Sequence, residues 1–593
     1  MTEMKVVPVE TDVLVIGGGL AGCMAAIKAS EQEGIRVTLV DKSNTIRSGC
    51  AASGIDHVWA YIPEIHQKMG YTIDDMAEDH RQGIAHGFFR KDLFYLVAGT
   101  MYERMLDLER FGINFRYEDS KVPGKFRIVP QFHSVPTSFN FDGAPLKPTL
   151  TNEAKKRGVN IINRVQMTDL IATDAQIAGA VGVDTRTGDI YFFKTKAVIL
   201  SSGRSNRLGR NSTGFDFNTR LPSSLSGDGS SMAMRAGLPI INIEFLSGTR
   251  LAACANYIPN YGDPRNTVQP AARIIDGEGN TIISRTQFYD WENLGREKWT
   301  PDTRGKWLEE MAMILGSWFG ESGMAKSYYR GGGPFYLDFS EATDYEAQYI
   351  EWSIKNEGKG TQFMRYFKDE EGLDLRKNAQ EYAGFSSREL SGTAAKGLWV
   401  DKDLETDIKN LFAAGDEVGG LPWQASPGAF TQGWHAGNVA AKRAKEQKVF
   451  LPVGEEKLKA RKDMCTEILQ REIGFHWKEV EIGVQNLMDF YCGGVRSEAM
   501  LRRGLERLED AKAAPLKAEN PHELGRCLDV KSIIDNAELV LSSSIERKES
   551  RPIPFGFVRA DYPEKDDENW LAFLTIRKEE DGEFKFSKYP VDK

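Results

Sequence analysis

The chain has 593 residues, with 85 acidic side chains against 76 basic ones and a net charge of −9. At roughly 150 residues per domain, about three to five domains and several cores are expected. That charge, with no basic cluster, excludes a general nucleic-acid binder, and 41 % hydrophobic with 27 % charged residues is the balance of a globular protein.

Met1 to Val7 carries neither a basic nor an apolar leader region. No apolar run approaches the roughly 18–20 residues that span a bilayer, so a soluble, cytoplasmic chain is expected. Thr11 to Ile16 (TDVLVI) reads as a short buried strand, broken by Gly17, Gly18 and Gly19 ahead of a helical run from Ala21 to Ser30. The spacing Gly17-x-Gly19-x-x-Gly22 is the dinucleotide fingerprint in strand–turn–helix context. Gly17 makes a turn too tight for a Cβ, Gly19 lets a pyrophosphate reach the backbone, and Gly22 lets the helix pack on the strand. The helix N-terminus then offers free N–H groups to phosphate. A second strand, Arg36 to Val40, ends at Asp41, nineteen residues after Gly22, where an acid can hold the hydroxyls of an adenosine ribose. The pattern alone does not separate FAD from NAD.

His66, His80 and His86 fall among Asp74, Asp75, Glu78 and Asp79 at spacings that match no metal template, so the stretch reads as a solvated helical face without a metal. Ala197 to Gly203 (AVILSSG) is another buried strand, preceded by glycine turns at Gly179, Gly182 and Gly188 that describe a small β-meander returning to the nucleotide sheet. Asn410 to Gly420 (NLFAAGDEVGG) repeats strand, glycine, acid and glycine pair before a helix beginning near Trp434. Asp416 there suits the ribityl and pyrophosphate portion of a flavin, unless the segment is a plain surface loop. Residues 454–512 are rich in Lys, Glu, Leu and Arg at helical spacing. Arg502, Arg503 and Arg507 with Glu506 and Glu509 read as an exposed, ion-paired helix or a docking surface for a partner protein. The six cysteines, Cys23, Cys50, Cys254, Cys465, Cys492 and Cys527, form no Cys-x-x-Cys, which disfavours a zinc ribbon, a redox dithiol or a locally ligated iron–sulfur cluster.

These segments have a collective likeness. VLVIGGGLAGCMAA at 13–26, IRSGCAASG at 46–54, KAVILSSG at 196–203, SGDGSSMAMRAG at 226–237, GPFYLDF at 333–339, LFAAGDEVGG at 411–420 and RKESRPIPFGFVRADYPEKDDENW at 547–570 span nearly the whole chain. Through them the chain resembles the flavoprotein subunits of the succinate dehydrogenase and fumarate reductase superfamily, and within it looks most like the alpha subunit of adenylylsulfate (APS) reductase. The resemblance implies an α/β fold: a doubly wound, Rossmann-like FAD-binding domain with an inserted α+β capping domain, a helical domain and a small C-terminal domain. The corresponding boundaries are 1–243 and 381–446 for the FAD-binding domain, 244–380 for the cap, 447–546 for the helical domain and 547–593 for the C-terminal domain. FAD contacts are implied at Gly17, Gly19, Gly22, Asp41, Lys42, Ser48, Gly49, Ser53, Gly54, Ser202, Gly203, Asp228, Gly415 and Asp416.

Departures from the family pattern are informative. Arg47-Ser48 is followed by Gly49 and Cys50, where the succinate and fumarate members carry the histidine that bonds to the flavin, so non-covalent FAD and a reductase direction are expected. The histidine segment of those members becomes Ser391 to Gly397 without a histidine. Where their clamp arginine follows Gly-Ala-Asn, the chain has Gly428-Ala429-Phe430-Thr431, and their proton-donor stretch is replaced around Thr267 to Arg273. These losses disfavour succinate or fumarate as substrate. Gly433-Trp434-His435-Ala436 resembles the APS reductase Gly-Ser-His-Ala, although that branch's flavin-side asparagine falls at Trp59.

Substrate chemistry needs a cation to hold developing charge and a donor for a proton. Arg250, Arg265, Arg273 and Arg330 are the candidate clamps, in or beside the cap, with Arg250 and Arg330 foremost. His57 and His435 are the candidate acids, each with a structural role as the alternative. Cys50 is either an adduct-forming thiol or a packed one, and Trp59, Trp423 and Trp434 either stack on a substrate or fill core. With no cluster motif and no second nucleotide fingerprint, an iron–sulfur, ferredoxin-like partner is expected to exchange electrons with this FAD protein, which acts on a small anionic substrate. Two alternatives are a self-sufficient oxidase or dehydrogenase of the L-aspartate oxidase type and a non-catalytic FAD electron-transfer subunit.

Overall fold

The computed structural model describes residues 4–592 except 53, 121, 130–134, 136, 211–220, 247–249, 254–272, 284–326, 328–330, 345–346, 349–368, 371, 373, 375, 386–394 and 553–554; for 250–253, 283 and 380–385 it describes the backbone alone.

Strand β1 (Val6–Ile16) has two halves: five residues that alternate between exposed and half-buried, then six that are wholly buried. It starts at Val6 rather than Thr11 because its outer half pairs in parallel with Ile190–Thr195, a backbone match that needs no apolar signature. Helix α1 (Leu20–Ala29) buries nine of its ten residues and carries one charge, Lys28. A helix apolar on all sides belongs inside a protein. Strand β2 (Val37–Asp41) follows, and later α2 (Lys91–Arg110), β3 (Asn160–Asn163), β4 (Val165–Thr173), β5 (Gln176–Asp184), β6 (Ile190–Leu200), α3 (Asp228–Arg235), β7 (Leu411–Ala413), α4 (Ala425–Glu446) and α5 (Pro521–Glu546).

The main sheet runs β3-β2-β1-β6-β5-β4, with β7 also on β6. Pairs β3/β2, β2/β1, β1/β6 and β6/β7 are parallel, and β4, β5 and β6 form an antiparallel meander. The short inner half of β6, Ala197–Leu200, therefore lies between β1 and β7, and all three strands end at the same edge. This is a doubly wound sheet, whose ligands bind beyond the carboxyl ends of its strands.

Helices α1 and α4 touch backbone to backbone. A Cβ on Gly433 would lie 2.2 Å from Ala21 O, and one on Gly437 would lie 2.3 Å from Ala25 O. These glycines serve a helix crossing, not a flavin approach.

A five-stranded antiparallel sheet, Arg250–Ala253, Gln380–Phe385, Tyr336–Asp338, Arg273–Ile275 and Thr281–Ile283 in spatial order, joins segments on both sides of residue 380, the expected end of the cap. The C-terminal hairpin Ala572–Lys578 and Phe584–Pro590 pairs with Ile240–Ile241, which pairs in turn with Gly397–Leu398. The arginines of the C-terminal motif are buried, two of them with buried acids and Arg559 with the exposed Asp561. Arg547 bonds Glu244 at 2.5 Å and Glu549 at 2.8 Å, Arg551 bonds Glu549 at 2.6 Å, and Arg559 bonds Asp561 at 2.7 Å. By contrast Arg502, Arg503 and Arg507 pair with Glu498, Glu506 and Asp510 on an exposed helical face.

Candidate functional site

At the carboxyl edge of β1, β6 and β7 lies one long cleft. Gly17, with φ +99°, begins it; a Cβ there would sit 2.5 Å from Ser201 O, and one on Gly22 would sit 1.8 Å from Gly17 O. Gly19 differs, since its added Cβ meets nothing nearer than Gly49 Cα at 3.8 Å. That space faces the cleft, beside the N-terminus of α1, which no side chain caps. A bare Gly19 and uncapped N–H groups fit a pyrophosphate.

Asp41 lines the cleft with its carboxylate oriented by two backbone amides. Gly18 N–H donates to Oδ2 at 2.7 Å and Ser43 N–H to Oδ1 at 2.6 Å. Each oxygen keeps a second lone pair, enough to accept two ribose hydroxyls. Gly49, Ser202, Gly203, Asp228, Gly415 and Asp416 also line the cleft. Ser53 lies outside the described residues, and Gly54 is not among the lining residues.

Two implied contacts have other partners. Lys42 Nζ donates to Ser226 Oγ at 2.6 Å, Asp228 Oδ2 at 2.7 Å and Asp529 Oδ1 at 2.9 Å, which uses all three of its protons within the protein. Burial pulls this ammonium down, but Asp228 and Asp529 outweigh burial and hold its pKa above the usual lysine value. Lys42 thus joins the cleft wall to α5. Ser48 Oγ donates to Gly18 O at 3.0 Å, fixing the glycine turn, so Ser48 offers the cleft its backbone and not its hydroxyl.

His57 lines the cleft, and its Nδ1 lies 2.5 Å from Oδ1 of fully buried Asp56. A buried carboxylate on Nδ1 fixes the orientation of the ring. His435 lies elsewhere. The cleft-lining residues of α4 are Ala425, Ser426, Pro427 and Ala429, whereas His435 sits two turns on, with Nε2 3.9 Å from Asp403 Oδ1. Helical phase turns it away from the wall its sequence neighbours suggested.

Of the arginines, Arg330 and Arg265 lie outside the described residues, and Arg250 begins a cap strand with no side chain described. Arg273 pairs with Asp338 at 2.6 Å and Glu341 at 3.6 Å. Trp59 and Trp423 line the cleft, and Trp59 Nε1 donates to Trp423 O at 3.1 Å. Trp434 stacks instead under Lys28 and Arg104, at 5.0 and 4.4 Å. His66 and His80 are fully buried, not solvated. His66 Nδ1 accepts from Ile62 N–H at 2.8 Å, and His80 Nε2 lies 2.8 Å from Pro422 O. Burial pushes the His80 pKa down to about 4, and burial with the nearby cations Lys565 and Arg551 does the same for His86.

The sequence reading missed a second charged group in the cleft wall. Arg204 lines the cleft and reaches Asp416 Oδ2 through Nε at 2.8 Å and Nη2 at 2.7 Å, and Cys50 Sγ lies 3.9 Å from the same oxygen. Behind them Lys396 and Glu417 are each 1 % exposed. Burial pushes the Lys396 pKa down to about 8 despite Glu417 and Asp416, and pushes the Glu417 pKa up to about 7 despite Lys396 and Ser202. The only sequence signal was an acid pair, Asp416-Glu417, where one acid was assigned. Lys147, also unforeseen, is fully buried and donates to Gly18 O beneath the glycine turn.

The comparisons agree with this geometry. A family model described as an FAD binding domain matches residues 12–248, and one described as a fumarate reductase flavoprotein C-terminal region matches residues 482–593. The chain is 26 % identical to a subunit of the fumarate reductase (CoM/CoB) of Methanothermobacter marburgensis, over 96 % of this chain and 98 % of that one. It is 23 % identical to the alpha subunit of adenylylsulfate reductase from Megalodesulfovibrio gigas, over 97 % and 94 %. In fold it is similar to adenylylsulfate reductase from Archaeoglobus fulgidus, with a TM-score of 0.82 at 23 % identity, covering 100 % of this chain and 97 % of that one.

Proposed function

Because the chain belongs to the succinate dehydrogenase and fumarate reductase flavoprotein superfamily, and is an FAD-dependent oxidoreductase, we propose that it moves electrons between an iron–sulfur partner protein and a small anionic substrate bound against non-covalent FAD. The observation that carries this reading is a cleft that combines the Gly19 cradle and Asp41 with a wall of His57, Cys50, Arg204 and Asp416. Bound FAD supplies a two-electron carrier that can be filled one electron at a time. The protein's residues hold and orient: Gly19 and α1 would hold the pyrophosphate, Asp41 would hold ribose, and His57, oriented by Asp56, would give or take a proton at Nε2. Arg250 and Arg330 are proposed as the anion clamps from the cap. Both relatives are named as subunits, which supports a partner. Gly49-Cys50 in place of a flavin-linking histidine supports non-covalent binding.

The test is purification of the chain with its co-expressed partner. The expected result is flavin fully released by acid precipitation, reduced by the reduced partner and left oxidised by NADH alone. Direct reduction by NADH would overturn the two-component reading, and rapid reoxidation by air without a partner would assign the chain to the oxidase type. Reduction of the flavin by sulfite with AMP would identify a sulfur substrate, and reoxidation by an unsaturated dicarboxylate an organic one.

A further inference from the structure

Ser202 joins the cleft to a buried charge pair that substrate binding alone does not require. Ser202 is a cleft-lining residue, and its hydroxyl donates to Glu417 Oε1 at 2.5 Å. Glu417 itself is buried behind that wall. Room for its carboxylate comes from the Gly227-Asp228-Gly229 turn that opens α3. A Cβ on Gly229 would lie 1.9 Å from Glu417 Oε1 and 2.4 Å from Ser202 Oγ. The second glycine of that motif is therefore the space in which the Ser202–Glu417 bond sits.

The charges facing the pair are few and come from four segments. Glu417 faces Lys396, Asp416 and Asp228, while Lys396 faces Glu417, Asp416, Arg204 and Cys50. Arg204 pairs with Asp416, and Asp228 with Lys42. Lys396 and Glu417 are both buried, and neither ion pair nor hydrogen bond joins them, so desolvation acts on each with weak repayment. A carboxyl at about 7 beside an ammonium at about 8 exchanges a proton at small cost near neutral pH.

We propose that Glu417 and Ser202 form a proton relay from the interior into the cleft, with Lys396 as the positioning residue that sets the charge of Glu417. In delivery, the Glu417 carboxyl passes its proton to Ser202 Oγ as Ser202 releases its own hydroxyl proton to an acceptor in the cleft. Ser202 is unchanged, Glu417 becomes a carboxylate, and the buried ammonium of Lys396 stabilises that carboxylate. Uptake is the reverse. The relay rests on the flavoprotein reading for the acceptor, but not for its own existence, because the Ser202–Glu417 bond belongs to the protein.

The first measurement is infrared titration of the protein freed of flavin. A carboxyl C=O stretch that disappears as pH rises through about 7 is expected in the wild type and absent from Glu417→Gln. If no such band titrates, or if it persists in Glu417→Gln, the relay is overturned whatever the chain does with FAD. The second measurement uses the FAD-loaded protein with its partner. Glu417→Gln is expected to keep flavin content while the pre-steady-state rate of substrate turnover falls roughly 10²-fold and loses its pH break near 7, and Ser202→Ala is expected to show the same loss of rate and pH break per bound flavin. Lys396→Met, which removes the ammonium, is expected to move that break upward, and Lys396→Arg to restore it. Unchanged rate and pH profile in Glu417→Gln would overturn the relay and leave the flavoprotein assignment standing, whereas a wild type that binds no FAD would overturn the assignment and leave the infrared result to decide the relay.

Discussion

Lys42 Nζ lies 2.9 Å from Asp529 Oδ1, tying the residue after Asp41 at the cleft to a helix near the far end of the chain. Asp529 is 3 % exposed in its side chain and also accepts from Arg207 Nη1 at 2.9 Å, with Arg526 Nη1 at 3.2 Å. Burial raises its pKa, but Lys42 and Arg207 overcome burial and hold it well below the usual carboxylate range. A depressed folded pKa contributes stability above the unfolded value of about 3.9, and that stability is lost as pH falls further through the folded one. Asp529→Asn leaves buried cations without their acid and is expected to cost about 3–5 kcal/mol. Denaturant unfolding at neutral pH checks this; a variant with the wild-type midpoint would show that the network holds no stability. The variant is also expected to lose less stability on acidification below about pH 4 than the wild type does.

His80 acts at higher pH. It is buried against Trp59, Phe89 and Phe94, with Nε2 at Pro422 O, and its folded pKa is about 4. The unfolded chain takes up a proton here near 6.5, so the folded form loses stability as pH falls from about 6.5 toward 4, by up to roughly 3 kcal/mol. Because the ring supports the Trp59–Trp423 wall, flavin release is expected to follow the same pH range. His80→Gln keeps a donor for Pro422 O but has nothing to titrate, so its loss of stability between pH 6.5 and 4 is expected to be smaller. Equal losses in the two proteins, measured by thermal unfolding at each pH, would place the acid sensitivity elsewhere.

Gly433 gives a packing prediction. Its Cβ in Gly433→Ala would lie 2.2 Å from Ala21 O, a backbone atom that can yield only if α1 moves. Overpacking of this kind costs about 1–3 kcal/mol. Since Ala21 lies in the first turn of α1, the displacement also shifts the N–H groups that face the pyrophosphate. A lower unfolding midpoint together with weaker FAD binding is expected from calorimetry and flavin fluorescence. Loss of stability with unaltered FAD affinity would show that the crossing does not position the turn.

The glycine turn and Asp41 were legible because each constraint is local: a positive φ at Gly17, a short approach at Gly22, an acid at a strand end. The parallel sheet followed from the same residues. Lys42 and Lys396 were not legible, since what decides a lysine's role is the carboxylate it meets, and Asp529 stands 487 residues from Lys42. The histidines failed for another reason. Asp74, Asp75 and Glu78 made the segment look solvated, but His66 ends one short helix, Pro63–His66, and His80 follows another, Ile73–Asp79, and both are fully buried. His435 failed through helical phase, two turns beyond the last residue of α4 that lines the cleft.

Asp56 and His57 separate two sources of the cleft proton. If His57 is the acid or base, Asp56 must hold its ring by Nδ1 and balance the charge it takes up. Asp56→Asn preserves shape but removes that charge and admits the wrong tautomer, so turnover is expected to fall by about 10²–10⁴ with little change in KM or flavin content. His57→Gln is expected to fall by a similar factor, and the double variant no further, because the two residues act as one unit. Steady-state kinetics on the partner-bound enzyme check all three. Full activity in Asp56→Asn would remove His57 from the proton step. A multiplicative loss on combining His57→Gln with Ser202→Ala would instead show that the histidine and the buried relay serve different protons.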